Sequence, residues 1–143
     1  MLEKPIHIVV VDDHERFRMS LMSILNADQR LTVVGQGASA ADAIALANTV
    51  QPDIIVLDLD MPGSGLDAAA IIHQAHPTIR IVMLTASADE YNIRTAQANG
   101  ADSYLIKGMT ARVLAQTLHS IYVGAQYWPA PSLGSLPARA RLA

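Results

Sequence analysis

The chain of 143 residues contains no cysteine, which excludes disulfides and thiolate metal sites. Charge is scarce: charged residues make up 16%, with 10 basic and 13 acidic side chains and a net charge of −3. That balance offers no electrostatic footprint for DNA or RNA over the whole chain. Long apolar runs are also missing at the N-terminus. The stretch inside MLEKPIHIVVVDDH is too short for a signal-peptide core or a membrane span, and acids follow at once. The expectation is a cytoplasmic protein with no membrane partner. Gly63-Ser64-Gly65 is glycine-rich but no Gly-Lys-Ser/Thr follows, so it is not a nucleotide phosphate loop. The histidines show no metal-ligand spacing: His7 falls in a strand, and His73, His76 and His119 fall in helices or at their ends. His14 follows an acidic pair and is of ligating type, but as the first residue of a helix it reads as solvent-facing. What the chain does have is 51% hydrophobic residues, a globular composition sized for one compact domain.

Short apolar runs alternate with helix-length amphipathic segments. Ile6–Val11 is apolar and β-branched and ends in Asp12-Asp13. Residues 14–26 carry Phe17, Leu21, Ile24 and Leu25 at helical spacing. A second strand, Leu31–Val34, is expected to end at Gly35. A helix over 39–50 has Ser39 as N-cap and buries Ala43, Ile44, Leu46, Ala47 and Val50. The third strand, Ile54–Leu57, ends at Asp58, and a turn-rich loop, Met61–Gly65, leads to a helix over 66–75. The fourth strand is Ile79–Leu84. A helix over 89–98 is closed by Asn99-Gly100, the fifth strand is Ser103–Ile106, and a last helix covers 110–123. Met19, Met22 and Met83 sit in apolar stripes and read as core. Five β-then-α units imply an α/β fold: a doubly wound five-stranded parallel sheet with five helices on its two faces. The nearly continuous apolar strands fit that sheet, because neither of its faces meets water. Residues 1–125 form the domain, and 126–143, rich in proline, glycine and small residues, read as a linker or tail.

Ligands of such sheets bind beyond the carboxyl ends of the strands. Strand one delivers Asp12-Asp13 there, strand three Asp58, strand four Thr85 and strand five Lys107. An acid after a strand is usually a helix cap or turn residue. Three carboxylates, a hydroxyl and an ammonium converging on one edge are harder to dismiss. The carboxylates would repel one another without a cation, and a hard divalent ion such as Mg²⁺, which takes one or two carboxylates plus waters and phosphate oxygens, resolves this. A phosphoryl group arriving on one aspartate would then meet Mg²⁺, Lys⁺ and a hydroxyl, and phosphoryl transfer needs mainly such positioning and charge stabilisation. A carboxylate nucleophile can form an aspartyl phosphate.

The order Asp12-Asp13, Asp58, Thr85, Lys107, in the motifs VVVDDH, IIVLDLDMPGSGL, IVMLTAS and ADSYLIKG, resembles the receiver domain of two-component response regulators over roughly residues 5–125. The resemblance implies a flavodoxin-like, CheY-like fold. It implies that Asp58 accepts phosphoryl from a sensor histidine kinase or phosphotransfer protein. Asp13 and Asp58 would ligate Mg²⁺ directly, Asp12 mainly through water, and the backbone carbonyl of Asp60 would complete the protein ligands. Thr85 and Lys107 would bind the phosphoryl oxygens, and Tyr104 would be the switch aromatic, turning inward when Thr85 moves. As an added acid, Asp60 would either orient a hydrolytic water or repel phosphate. Gly108 stands where many receivers carry proline. The segment SYLIKGMTARVLAQTLHSIYVGAQYW is similar to the NarL/FixJ/LuxR subgroup, in which a linker leads to a helix-turn-helix domain. Residues 125–143 cannot form that DNA reader, so DNA binding would need a C-terminal domain outside this chain; the chain is either a piece of a longer regulator or naturally receiver-only. Dimerisation on phosphorylation fits the subgroup.

Three other readings compete. Asp58-Leu59-Asp60 also resembles the nucleophile motif of haloacid-dehalogenase-type phosphohydrolases, but there the acidic pair comes last in the chain, and here it comes first. A stand-alone receiver within a phosphorelay is the second. The third, an inactive dimerisation module, is at odds with five filled key positions. The expected protein is therefore a phosphoacceptor that signals and is not an enzyme, beyond slow autophosphatase activity at most.

Overall fold

The computed structural model describes residues 4–130. Five strands and five helices alternate without exception: β1 (Ile6–Val11), α1 (Glu15–Asn26), β2 (Leu31–Gly37), α2 (Ala40–Val50), β3 (Ile54–Leu57), α3 (Gly65–Ala75), β4 (Arg80–Thr85), α4 (Glu90–Ala98), β5 (Ser103–Ile106) and α5 (Ala111–Tyr122). The strands are parallel, in the order β2-β1-β3-β4-β5, which is the doubly wound sheet expected.

Alternate strand residues feed two cores, as the two-residue period of a strand requires. Ile8, Val10, Ile54, Val56, Val82 and Leu84 pack with Leu21 and Leu25 of α1 and Leu114, Leu118 and Ile121 of α5. Val9, Val11, Ile55, Leu57, Ile81 and Met83 face the other way, onto α2, α3 and α4 through Ala43, Ala47, Ile72 and Ala96. Helices bury one stripe each. Met19 of α1, expected in the core, is 52% exposed: it lies two residues from Leu21, about 200° around a helix of 3.6 residues per turn.

The caps fall where the residue types put them. Ser39, Ser64, Asp89 and Thr110 each accept a hydrogen bond from the backbone N–H three residues on, at the starts of α2, α3, α4 and α5. One boundary differs by more than a single residue. β2 does not stop at Gly35 but runs to Gly37 through a register shift, Ile8 pairing with Val33 and Val9 with Gly35. The glycine marks an irregularity inside the strand, where a Cβ would stand 3.2 Å from Leu46.

The sequence reading assigns residues 126–143 to a linker, and 131–143 lie outside the described residues. Tyr127 and Trp128 fold back on the domain. The Tyr104 N–H donates to the Tyr127 carbonyl at 2.8 Å, the Tyr127 N–H donates to Ser103 Oγ at 3.0 Å, and Trp128 packs against the cluster containing Tyr104. The open edge of β5 is thereby covered, a common way to protect an edge strand.

Candidate phosphoryl and metal site

Sheet order decides what meets at the carboxyl edge. The chain leaves β1 toward β2 and returns to β3 on the other side, so the topological switch point lies between β1 and β3. Val11 is in register with Leu57, which sets Asp12 beside Asp58. The Asp58 N–H donates to the Val11 carbonyl at 2.9 Å, and the Asp12 N–H to the Gly37 carbonyl at 3.0 Å. On the other flank Thr85 is in register with Ile106, and the Lys107 N–H donates to the Thr85 carbonyl at 2.8 Å. All four strand ends named from the sequence are pinned to the sheet by backbone bonds.

The side chains converge. Asp12 and Asp58 are buried, as is Thr85. Lys107 Nζ lies 2.8 Å from Asp12 Oδ2 and 3.7 Å from Asp58 Oδ1. Asp58 Oδ2 is fully buried and has no hydrogen-bond partner among the described residues. Oxygens of Asp12, Asp13 and Asp58 and a nitrogen of His14 lie within 4.8 Å of one another. Burial and the neighbouring Asp12 charge push the Asp58 carboxyl above the usual carboxylate range, against the pull of Lys107 and of the Asp60 and Leu59 amides. A buried anion with an orphaned oxygen needs a cation or a proton. The donor set, hard carboxylate oxygens open to water on one side, fits a small divalent ion.

Local sequence builds this edge. At Gly65, the first residue of α3, a Cβ would lie 2.1 Å from the Asp58 carbonyl oxygen; only glycine lets the helix start that close to Asp58. Gly108 has φ +116°, which the fixed φ of proline near −65° cannot adopt.

Tyr104 is fully inside, 1% exposed, and its hydroxyl donates to the Ser87 carbonyl at 2.9 Å. Burial, with the Asp89 and Asp60 charges, raises its phenol to about 12. The ring is already inward, held by the β4–α4 loop. Asp60 is exposed in the loop after β3.

A model of the response regulator receiver domain family matches residues 8–119. The chain belongs to that family. This receiver domain is 37% identical over 120 residues to the response regulator protein VraR of Staphylococcus epidermidis, across 83% of this chain and 57% of that protein. It is 34% identical over 123 residues to the nitrate/nitrite response regulator protein NarL of Escherichia coli, across 85% of this chain and 57% of that one. The chain thus spans little more than half the length of these curated relatives. Among solved structures, a LuxR-family two-component response regulator from Aurantimonas sp. SI85-9A1 superposes with a TM-score of 0.83 at 28% identity, covering 98% of this chain and 100% of that one. The NarL/LuxR-type resemblance read from the motifs holds. Among the described residues, no helix of this receiver is long and apolar enough to cross a membrane.

Two residues at the site carry more than the sequence reading gave them. His14 stands at the N-cap position just before α1, its side chain 66% exposed as expected, yet its Nδ1 turns back to 3.2 Å from both Asp12 Oδ1 and Asp13 Oδ1. Phe17, read as part of an apolar stripe, lies under the Lys107 ammonium, 4.2 Å from Nζ to the ring centroid. For His14 the signal was adjacency to the acidic pair. For Phe17 there was none, since Lys107 lies 90 residues away in the chain.

Proposed function

We propose that this receiver domain takes a phosphoryl group onto Asp58 from a sensor histidine kinase or phosphotransfer protein and uses it to control an output. The observation that carries the reading is the buried, unpartnered Asp58 Oδ2 beside Lys107 and the Asp12–Asp13 pair. An Asp58 oxygen attacks the phosphorus of a phosphohistidine. The new P–O bond forms as the P–N bond breaks, and the imidazole leaves with its electron pair and takes up a proton. Asp13 and Asp58 would hold Mg²⁺ directly, with Asp12 through water and the Asp60 carbonyl as a further ligand; the ion supplies charge neutralisation at the phosphoryl oxygens. Lys107 and Thr85 bind the remaining oxygens. Tyr104 acts as the switch aromatic, its inward position favoured once Thr85 is drawn to the phosphoryl group.

The same reading assigns residues 1–125 to the receiver and 126–143 to the linker, and it places the protein in the cytoplasm. Similarity to NarL and VraR favours a transcriptional output through a C-terminal DNA-binding domain, with dimerisation on phosphorylation, over a stand-alone relay role. Intact-mass spectrometry with acetyl phosphate and Mg²⁺ tests the core of it. The wild type should gain one phosphoryl group and Asp58→Asn none. Equal labelling of both would remove Asp58 from the role, and catalytic turnover of phosphate esters would favour the phosphohydrolase reading.

A further inference from the structure

Lys107 is a flexible side chain with a demanding task. Its backbone is fixed by the bond to Thr85, but four rotatable bonds separate Cα from the ammonium. Two carboxylates compete for it. Asp12 Oδ2 has it at 2.8 Å, while Asp58 Oδ1 is 3.7 Å away, beyond a good hydrogen bond. Full collapse onto Asp58 would neutralise the nucleophile. Release into water would leave the phosphoryl oxygens without their cation. The third wall of the ammonium's position is the face of Phe17, on the first turn of α1. Phe17 also borders, with Lys107 itself, a cavity of about 60 Å³ lined by Ser20, Leu21, Leu84, Met109 and Leu114, so this surrounding is mostly apolar. A cation over an aromatic face is held by the ring quadrupole, more strongly where water is excluded.

We infer that Phe17 is a positioning residue for phosphoryl capture. Its ring face and Asp12 together hold the Lys107 ammonium just outside hydrogen-bond reach of the free Asp58 carboxylate, where it meets the oxygens of a group mounted on Asp58. The inference rests on the phosphoacceptor reading. It adds a specific partner for Lys107 from α1, and it gives this helix a part in the chemistry beside the Asp12-Asp13 pair that ends β1.

The sequence offers an unusually clean test, because Phe17 is the only phenylalanine in the chain. Growth on a ring-fluorinated phenylalanine replaces this one ring, keeping its shape while weakening or reversing its quadrupole. Affinity for beryllofluoride, a phosphoryl mimic, is measured with saturating Mg²⁺, and Mg²⁺ affinity is measured separately on the untreated protein. Stepwise fluorination should weaken beryllofluoride binding progressively, by about two- to thirtyfold in all, the span expected of a cation–π contact. Mg²⁺ affinity should stay within about twofold. Phe17→Leu should resemble the fully fluorinated protein, Phe17→Tyr should restore binding, and in a Lys107→Ala background fluorination should have no further effect. Unchanged beryllofluoride affinity across the fluorinated series would reduce Phe17 to a packing residue, and an equal loss of Mg²⁺ affinity would mean that the whole site had been disturbed; either result overturns the inference. A wild type that takes up neither beryllofluoride nor phosphoryl would instead overturn the phosphoacceptor reading beneath it.

Discussion

Asp58 is stabilised least in the form its proposed chemistry needs. Burial and the Asp12 charge raise its proton affinity above that of an unfolded aspartate. A carboxyl group shifted upward in the folded state favours folding below its unfolded value and loses that contribution as pH rises through the folded one. At neutral pH the ionised group therefore works against the fold. Asp58→Asn, neutral and of the same shape, should be more stable than the wild type at neutral pH without divalent ions. The gain should be roughly 1–3 kcal/mol, the range for relieving an unsatisfied buried group. The difference should shrink as the pH falls through the raised value of the folded state and vanish below about 4, where the carboxyl is neutral in both states. Mg²⁺ should stabilise the wild type much more than the variant, because an ion bound only by the folded state shifts the folding equilibrium. Urea midpoints at two pH values, with and without Mg²⁺, check all three statements. A less stable Asp58→Asn at neutral pH would contradict them.

Among the elements, what was legible in the sequence is what obeys a local rule. Strands buried on both faces show as β-branched runs, helix starts show as Ser39, Asp89 and Thr110, and the strand ends show as single polar residues after apolar ones. The arrangement of the site followed because parallel strands present all their carboxyl ends on one edge. The reading failed where distant elements override local preference. Gly35 looked like a terminator, but β1 continues to pair beyond it as far as Gly37. The partnership of Phe17 with Lys107 joins α1 to the end of β5, and the docking of Tyr127 and Trp128 uses an edge that only the assembled sheet creates. Gly65 is the element boundary that packs directly on the Asp58 backbone. A methyl group there meets the Asp58 carbonyl oxygen at 2.1 Å, and a backbone atom cannot rotate out of the way. Gly65→Ala should push the start of α3 off the loop after β3, cost about 1–3 kcal/mol by overpacking, and depress acetyl phosphate labelling of Asp58 while the far-ultraviolet dichroism of the five helices persists. Labelling at the wild-type rate would mean that α3 and the acceptor loop move independently.

Across the whole molecule, the site and the covered edge of β5 are connected by short covalent and hydrogen-bonded steps. Thr85 ends β4, Ser87 lies two residues on, the Tyr104 hydroxyl holds the Ser87 carbonyl, and the Tyr104 N–H holds the carbonyl of Tyr127, next to Trp128. A ligand shifts a two-state equilibrium only by its differential affinity for the two states. A new hydrogen bond from Thr85 to a phosphoryl oxygen is such a difference, of order 1–3 kcal/mol, so a shift of about five- to a hundredfold is expected. Because Tyr104 is already inward, the effect should appear as a tightening of an existing arrangement, at Ser87, α4 and the β5 edge together. Trp128 is the only tryptophan, so its fluorescence reports on that edge alone. Beryllofluoride with Mg²⁺ should change this emission in the wild type but not in Thr85→Ala, and chemical-shift changes should run from the loops around Asp58 through residues 89–98 to Tyr104 and Tyr127. Shifts confined to the Asp58 loops, with Trp128 unchanged, would mean that the switch does not operate here. Shifts that reach Trp128 in a protein that sediments as a monomer would keep the switch and move its output from dimerisation to another partner.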